Sequence, residues 1–275
     1  MKKTDISNIK LNVANRAKDS FVSKFFGLMF IDLGELSIFT GRVINQFFKP
    51  PFEHKELVRQ SYRLGNKSLL LVALTGFIMG LVLSMQIRPI LVQLGAQTLI
   101  PGIVSIAMFR ELGPVITGLI CAGKISSGIG AEIGAMKVTE QIDAMEVSGT
   151  RPLSYVVASR ILAATATVPI LVLFADFCGL LGSYFAINFY EPMSLQLYIK
   201  DSFDVLSFID VVPASIKTIV FGFFIGLIGA YKGYNAGLGS DSVGQATNSA
   251  VVSASLSIFI IDLVAVLVTN FVTGG

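Results

Sequence analysis

The chain has 275 residues, of which 53% are hydrophobic and only 14% are charged. Soluble domains average about 25% charged residues, so this composition excludes an ordinary soluble protein and indicates an integral membrane protein. The net charge of +3 gives no case for a nucleic-acid partner. Cys121 and Cys178 lie inside apolar runs, which excludes a disulfide framework, and with His54 as the only histidine no metal site is expected.

Residues 21–48 are nearly long enough to cross a membrane, but they contain Asp32, Glu35 and Arg42, which are unfavourable at the centre of a bilayer. At about 100° per residue, the apolar side chains fall on one face, and Glu35 and Arg42 fall on the opposite face. This pattern favours a helix in the membrane interface, with a sixth span as the alternative. The apolar face consists of Val22, Phe25, Phe26, Met29, Leu33, Leu36, Val43 and Phe47.

Five apolar runs follow, and each is long enough for one crossing. They cover residues 68–87, 100–123, 153–189, 211–231 and 250–271. The third run is long for one span, and Pro169 or Asp176 could kink or interrupt it. The sequence therefore predicts an all-α membrane protein, with a tail and interfacial helix over residues 1–67 and a transmembrane domain of five helices over 68–275.

Basic residues predict the orientation, because loops rich in Lys and Arg stay in the cytoplasm. Of the 21 Lys and Arg residues, 12 precede Ser68. With five spans, the N-terminus is then cytoplasmic and the C-terminus is outside. The loops predicted to be inside carry Lys124, Lys137, Arg151 and Lys232, whereas the opposite loops carry Arg88 and Lys200.

Residues 131–149, between spans two and three, interrupt the apolar pattern with a charged segment. Its small and apolar residues recur every three or four positions, which predicts one helix with a narrow stripe. A second stripe lies on the far side, so one face could pack on the chain and the other on a partner; a solvated amphipathic helix is the alternative. The first stripe is Ala131, Ala135, Val138, Ile142, Met145 and Gly149, and the second is Ile133, Met136, Ala144 and Val147.

Two stretches carry a specific combination of motifs. Residues 108–152 contain Arg110-Glu111-Leu112, Pro114, Ala122-Gly123, Ala131-Glu132, Gly134, Met136, the run from Val138 to Ala144, Gly149 and Pro152. Residues 233–252 contain Val243-Gly244, Ala246-Thr247 and Ala250-Val251-Val252. Over about residues 20–272 the chain resembles the MlaE (YrbE) family, the permease subunits of lipid ABC transporters that work with MCE proteins. The chain departs from the family's pattern at three places. Lys124 stands where the family usually has Arg, Ser126 stands where it usually has Gly, and the run from Leu238 to Asp241 replaces a more glycine-rich run. These departures affect the details of the loops.

The resemblance implies that residues 131–149 are a cytoplasmic coupling helix that docks on an ATPase. The candidate polar contacts are Glu132, Glu140, Gln141 and Asp143, and the candidate packing contacts are Met136, Ile142 and Met145. Which face of the helix meets the ATPase stays open.

The resemblance also implies the assembly around the chain. It implies a homodimer in the inner (plasma) membrane, two cytoplasmic ABC ATPase subunits, and an MCE-domain substrate-binding protein on the outer, periplasmic side. The cargo would be phospholipid or a related lipid that moves between membranes. ATP and Mg²⁺ would bind to the ATPase, so this chain would be a transport subunit with no catalytic residues and no cofactor of its own.

Arg110, Glu111, Asp176 and Asp262 lie inside predicted spans, where charges need partners or a watery cavity. Arg110 and Glu111 lie in span two. They could form a structural pair that locks helices together, or a polar site for a lipid headgroup in a cavity, which the resemblance supports. Asp176 in span three and Asp262 in span five favour a structural role.

Two short stretches imitate nucleotide-binding motifs. Residues 118–124, GLICAGK, nearly match a Walker A loop, but Ile125 stands where Ser or Thr would hold Mg²⁺, and the stretch ends a span. Residues 172–176, VLFAD, imitate a Walker B strand inside span three. The sequence therefore predicts no ATP site in this chain.

Two other functions remain as alternatives. An ion- or proton-coupled secondary carrier would use the four intramembrane ionisable residues as a relay, but no internal repeat is evident in the sequence. A membrane-embedded lipid enzyme would need a metal-ligand cluster or a Ser/His/Asp set, and neither is evident. Gly76/Gly80 and Gly222/Gly226 have the spacing that allows helices to approach closely.

Overall fold

The computed structural model describes residues 34–46, 54–237 and 239–273, which contain helices and turns and no strand. The chain divides into two compact units, Met1–Pro51 and Phe52–Gly275. The first unit contains helix α1, residues 34–46, in which Phe39 and Val43 are buried. The remainder of the proposed interfacial helix, residues 21–33 and 47–48, lies outside the described residues, so its location in the interface stays a prediction.

The second unit contains the five long helices. The first span is α2, His54–Gln93. The second span is continuous over Gln97–Val138. It consists of a 3₁₀ turn at Gln97–Leu99, helices α3 (Ile100–Ala107), α4 (Gly113–Cys121) and α5 (Ser127–Val138), and π-helical turns at Met108–Leu112 and Ala122–Ser126. A short helix α6, Gln141–Val147, follows.

The remaining elements complete the bundle. The third span consists of a π-helical segment at Leu153–Ala158 and helix α7, Ser159–Tyr190. A short helix α8, Leu195–Asp204, connects it to the fourth span, α9, Phe208–Tyr234. The fifth span is α10, Ser240–Thr273.

Within the described residues, these five helices are long and apolar enough to cross a membrane, as predicted, and the alternative of a sixth span over residues 21–48 lies largely outside them. Their ends differ from the prediction. Helix α2 begins at His54 rather than near Ser68, because hydropathy marks only the part of a helix that is apolar and not its polar first turns. Helix α7 runs through Pro169 without interruption.

Helices α2 and α7 pack closely because glycines remove side chains from their contact. A Cβ atom added to Gly76 would overlap the carbonyl oxygen of Ala175, and one added to Gly80 would overlap that of Gly179. The backbones therefore touch directly, as the small-residue spacing predicts.

Helix α9 packs on α7 in the same way. A Cβ atom at Gly222 would lie 2.6 Å from the carbonyl oxygen of Ala164, and one at Gly226 would lie 2.9 Å from the Cα atom of Ile161. Both predicted glycine pairs are thus confirmed as sites of close approach. This packing fixes α9, and with it Lys217, against the rest of the bundle.

Replacing Gly80 with Ala should lower the thermal stability of the detergent-solubilised protein, because the new methyl group meets a backbone carbonyl that cannot rotate away. Overpacking of a tight interior costs about 1–3 kcal/mol. Gly128→Ala is the matched control, since no heavy atom lies within 4 Å of the added Cβ atom there. Equal melting temperatures for the two variants would contradict the tight contact between α2 and α7.

Candidate functional site

Arg110 and Glu111 lie on the π-helical turn Met108–Leu112 in the middle of the second span. Pro114 has no N–H group to donate to the carbonyl of Arg110, four residues earlier, so the α-helical ladder is interrupted here. The N–H group of Gly113 donates to the carbonyl of Met108, five residues earlier, which gives the wider π turn. Such turns occur often at functional sites, because they reorient the side chains that they carry.

Lys217 of α9 is the centre of a cluster of three ionic side chains. Its Nζ atom donates to Oε2 of Glu111 at 2.6 Å and to Oδ1 of Asp262 at 2.9 Å. The Lys217 side chain is only 5% exposed. One buried ammonium group therefore connects the second, fourth and fifth spans. We call Glu111, Lys217 and Asp262 the charge cluster.

Arg110 does not pair with Glu111 and instead meets groups of the fourth and fifth spans. Its Nη1 atom lies 3.6 Å from Oδ1 of Asp210, and its Nη2 atom donates to Oδ1 of Asn270 at 3.5 Å. Consecutive residues on a helix do not face each other, so each of the two meets different neighbours. Asp210 also accepts hydrogen bonds from Ser207 in the capping box that begins α9.

A small open cleft lies beside these groups. Its lining combines the charged residues Arg110, Glu111, Asp210 and Lys217 with the apolar residues Ile209, Pro213, Ala265 and Val266. Charged groups of both signs thus lie close to aliphatic groups. This arrangement suits an amphipathic ligand with a charged head and an apolar body.

Asp176 lies apart from the charge cluster. It is buried in α7, and its Oδ1 atom has no hydrogen-bond partner in the part of the chain that the structure describes. Its carboxyl group faces Gly113, where an added Cβ atom would overlap it. Of the four intramembrane residues singled out in the sequence, the structure therefore brings Arg110, Glu111 and Asp262 to one region and leaves Asp176 outside it.

Sequence reasoning missed Lys217 and Asp210 in this site, and Lys217 is the more central of the two. The signal was present, because a single lysine inside the apolar run 211–231 is as unfavourable in lipid as the acids that were noticed. Its two carboxylate partners lie 106 and 45 residues away in the chain, so no local pattern connects them to it.

Residues 131–149 do not form one helix, which corrects that prediction. Helix α5 ends at Val138 and is continuous with the second span, and α6 begins at Gln141. Between them, Glu140 has a left-handed backbone conformation with φ of 58°. Thr139 contributes to the break, since both its N–H group and its hydroxyl bond to the carbonyl of Ala135. The two predicted stripes therefore do not continue across Glu140.

Helix α6 has one inward and one outward face. Ile142 is fully buried and Met145 is half-buried, so this edge packs on the chain itself. Glu140, Gln141 and Asp143 are exposed, and Val147 is 91% exposed. A salt bridge of 2.7 Å between Lys137 and Asp143 spans the break and holds α6 against the end of α5.

Glu132 and Met136 lie on α5 rather than on α6. Glu132 accepts a hydrogen bond from Arg160 at 2.9 Å and another from Arg63 at 3.3 Å, so it ties the second span to the third and the first. Met136 is half-buried. Both residues line a groove beside α6 and not its outward face.

The Walker-like stretch, residues 118–124, is helical: it begins in α4 and ends in the π turn Ala122–Ser126. It therefore lacks the loop whose N–H groups would hold a phosphate. In the described ranges, no three His, Cys, Asp or Glu side chains are placed to hold a metal ion.

Comparisons with known proteins agree with this architecture. The Permease MlaE family matches residues 57–268. A probable ABC transporter permease protein of Rickettsia typhi is 38% identical over 250 residues, which covers 91% of this chain and 95% of that protein. A probable ABC transporter permease protein of Rickettsia prowazekii is 40% identical over 228 residues, covering 83% and 88%. The chloroplastic protein TRIGALACTOSYLDIACYLGLYCEROL 1 of Arabidopsis thaliana is 33% identical over 227 residues, covering 82% and 65%. The chain is a multi-pass membrane protein that belongs to the MlaE family of ABC transporter permeases.

Proposed function

We propose that this chain is the membrane subunit of an ABC transporter that moves phospholipid or a related lipid between membranes, driven by a separate ATPase. Its membership of the MlaE permease family supports the transport role. The Arabidopsis relative carries the name of a galactosylated diacylglycerol, which supports a glycerolipid as the cargo. The chain itself would supply the path for the lipid and bind neither ATP nor Mg²⁺.

The cleft beside the charge cluster is the observation that carries the lipid proposal. Arg110 offers a partly exposed guanidinium group to a lipid phosphate, and Glu111 and Asp210 offer carboxylates to a cationic head. Ile209, Ala265 and Val266 provide an aliphatic surface for the first carbons of the acyl chains. A headgroup bound here would replace water by charged partners of the protein.

The outward face of α6 is the proposed docking surface for the ATPase. It presents Glu140, Gln141 and Asp143 together with the exposed Val147, while Ile142 and Met145 anchor the helix from behind. Polar groups at a rim around an apolar contact are typical of protein interfaces. We further propose two copies of the chain with two ATPase subunits, an MCE-domain protein on the outer side, and a location in the inner membrane. These parts rest on the sequence resemblance.

The experiment that tests this function is extraction in mild detergent, followed by identification of the bound lipid and of the co-purified chains. We expect a phospholipid or related lipid and a Walker-type ATPase. A chain that purifies without an ATPase and transports an ion or solute alone in vesicles would instead support the secondary carrier.

The proposed orientation gives a labelling prediction. In a variant without Cys121 and Cys178, a cysteine at Lys200 on α8 should react with an impermeant maleimide added from outside, whereas one at Asp143 on α6 should react only after the membrane is opened. Both positions are exposed in the structure, so accessibility across the membrane decides the result. External labelling of a cysteine at position 143 would contradict the proposed orientation.

A further inference from the structure

A groove lies beside α6, where the first turns of α2 meet the end of α5 and the start of the third span. It is a wide groove that is open to solvent. Its walls include Arg59 and Arg63 of α2, Glu132 and Met136 of α5, and Tyr155 and Arg160 of the third span. Gln141, the first residue of α6, also lines it, so the groove is continuous with the proposed docking surface.

Two of the three arginines of this groove face outward, whereas Arg160 is buried beside Glu132. The side chains of Arg59 and Arg63 are 78% and 47% exposed, whereas those of Glu56 and Glu132 are 12% and 31% exposed. Three arginines against two glutamates, 3 − 2, leave a net charge of +1 on the lining. The acids hold the arginines in place, and the exposed surface of the groove is basic.

Helix α6 has the opposite sign. Glu140, Asp143 and Glu146 are exposed on it or at its start. An acidic surface and a basic groove therefore lie side by side on the same end of the molecule. Paired patches of opposite sign can be satisfied by a partner in one orientation only, and they speed up its association.

We propose that the groove at Arg59 and Arg63 receives an acidic segment of the ATPase, as a second contact next to α6. This inference rests on the proposed function, since it adds a contact to the same partner. The continuity of the groove with α6 through Gln141 favours the ATPase over other occupants. The first 33 residues of the chain carry six basic and three acidic side chains. Because their net charge is positive, they are not favoured as the occupant of a basic groove.

Arg59→Glu tests the contact with little effect on folding, because among the described residues Arg59 makes only a 3.6 Å ion pair, with Glu56 one turn away. We expect a roughly tenfold weaker binding of the purified ATPase at low salt, and a smaller loss at high salt, where exposed charges are screened. Lys67→Glu is the matched control, because Lys67 is an exposed basic residue of the same helix and does not line the groove. An equal loss of ATPase binding with Lys67→Glu would overturn the inference, since the overall electrostatic field of the chain, and not the groove, would then account for the weaker binding.

A photo-cross-linking amino acid at position 59 identifies the occupant directly. We expect a product that contains the ATPase. A product with a second copy of this chain or with its own N-terminal segment would overturn the proposal. So would an Arg59→Glu variant that keeps the ATPase but loses binding to vesicles rich in anionic phospholipid. If the unmodified chain retained no ATPase at all, the proposed function would fail. If the unmodified chain retained the ATPase and the Arg59→Glu variant bound it equally well, only this inference would fail.

Discussion

Replacing Lys217 with Met should destabilise the protein strongly, by about 3–5 kcal/mol, because the carboxylates of Glu111 and Asp262 would lose their shared cation. The melting temperature in detergent and the yield of monodisperse protein measure this effect. Lys200→Met is the control, since it removes an exposed lysine of α8 and should change neither quantity. A Lys217→Met protein as stable as the wild type would contradict a stabilising role of the buried ammonium group.

A triple variant separates the structural from the functional role of the charge cluster. Lys217→Met combined with Glu111→Gln and Asp262→Asn removes the cation and both carboxylates while keeping the side chains close to their original size. We expect stability to return towards that of the wild type, because no unpaired charge remains. Lipid capture should stay defective if the cluster contacts a headgroup. A stable triple variant with normal lipid transport would assign the cluster to structure alone.

Reversing the charges of Glu140 and Asp143 together, each to Lys, should release the ATPase from the complex. Breaking charged contacts at an interface and replacing them by repulsion costs about 2–5 kcal/mol, which is roughly a 30-fold or larger loss of affinity. Both side chains are exposed and outside the buried edge of α6, so insertion into the membrane should be unaffected. The amount of ATPase retained through purification and the rate of lipid transport measure the outcome.

Two controls remove the structural explanations for such a loss. Asp143 is bonded to Lys137, so a charge swap, Lys137→Glu with Asp143→Lys, restores an attraction across the break while still reversing the outer charge at 143. Glu140→Gly removes the other charge and suits the left-handed backbone there, since glycine adopts positive φ without strain. If the double Lys variant kept the ATPase at wild-type stoichiometry and full transport, neither acid would be a contact residue.

The five spans could be predicted because each is a long apolar run, and lipid imposes that pattern on every crossing helix. The close approach of α2 and α7 could be predicted as well, since Gly76 and Gly80 stand one turn apart on the same face. The ends of the helices could not be predicted from the sequence. Helix α2 begins in a polar stretch at His54, where hydropathy gives no signal.

The site was only half predictable. Arg110, Glu111 and Asp262 were singled out because charge is rare in a span, but their partners depend on the packing of distant helices. The break at Glu140 was missed because periodicity records spacing and not backbone conformation, and the residues around it continue the helical spacing without a glycine or proline to mark an end. Glu132 illustrates the same limit, since Arg63 and Arg160 contact it from 69 and 28 residues away.

The continuity of the second span has a mechanical consequence. Its 42 residues, Gln97–Val138, measure about 63 Å at 1.5 Å per residue, roughly twice the thickness of the hydrocarbon core. From Glu111 to Val138 the helix is a lever arm of about 40 Å with no loop in it. A tilt of about 5° around the contact with Lys217 would displace the far end by roughly 3.5 Å. Helix α6 is joined to that end by a two-residue break and by the salt bridge between Lys137 and Asp143, so a displacement of α6 would reach the second span without passing through a long loop.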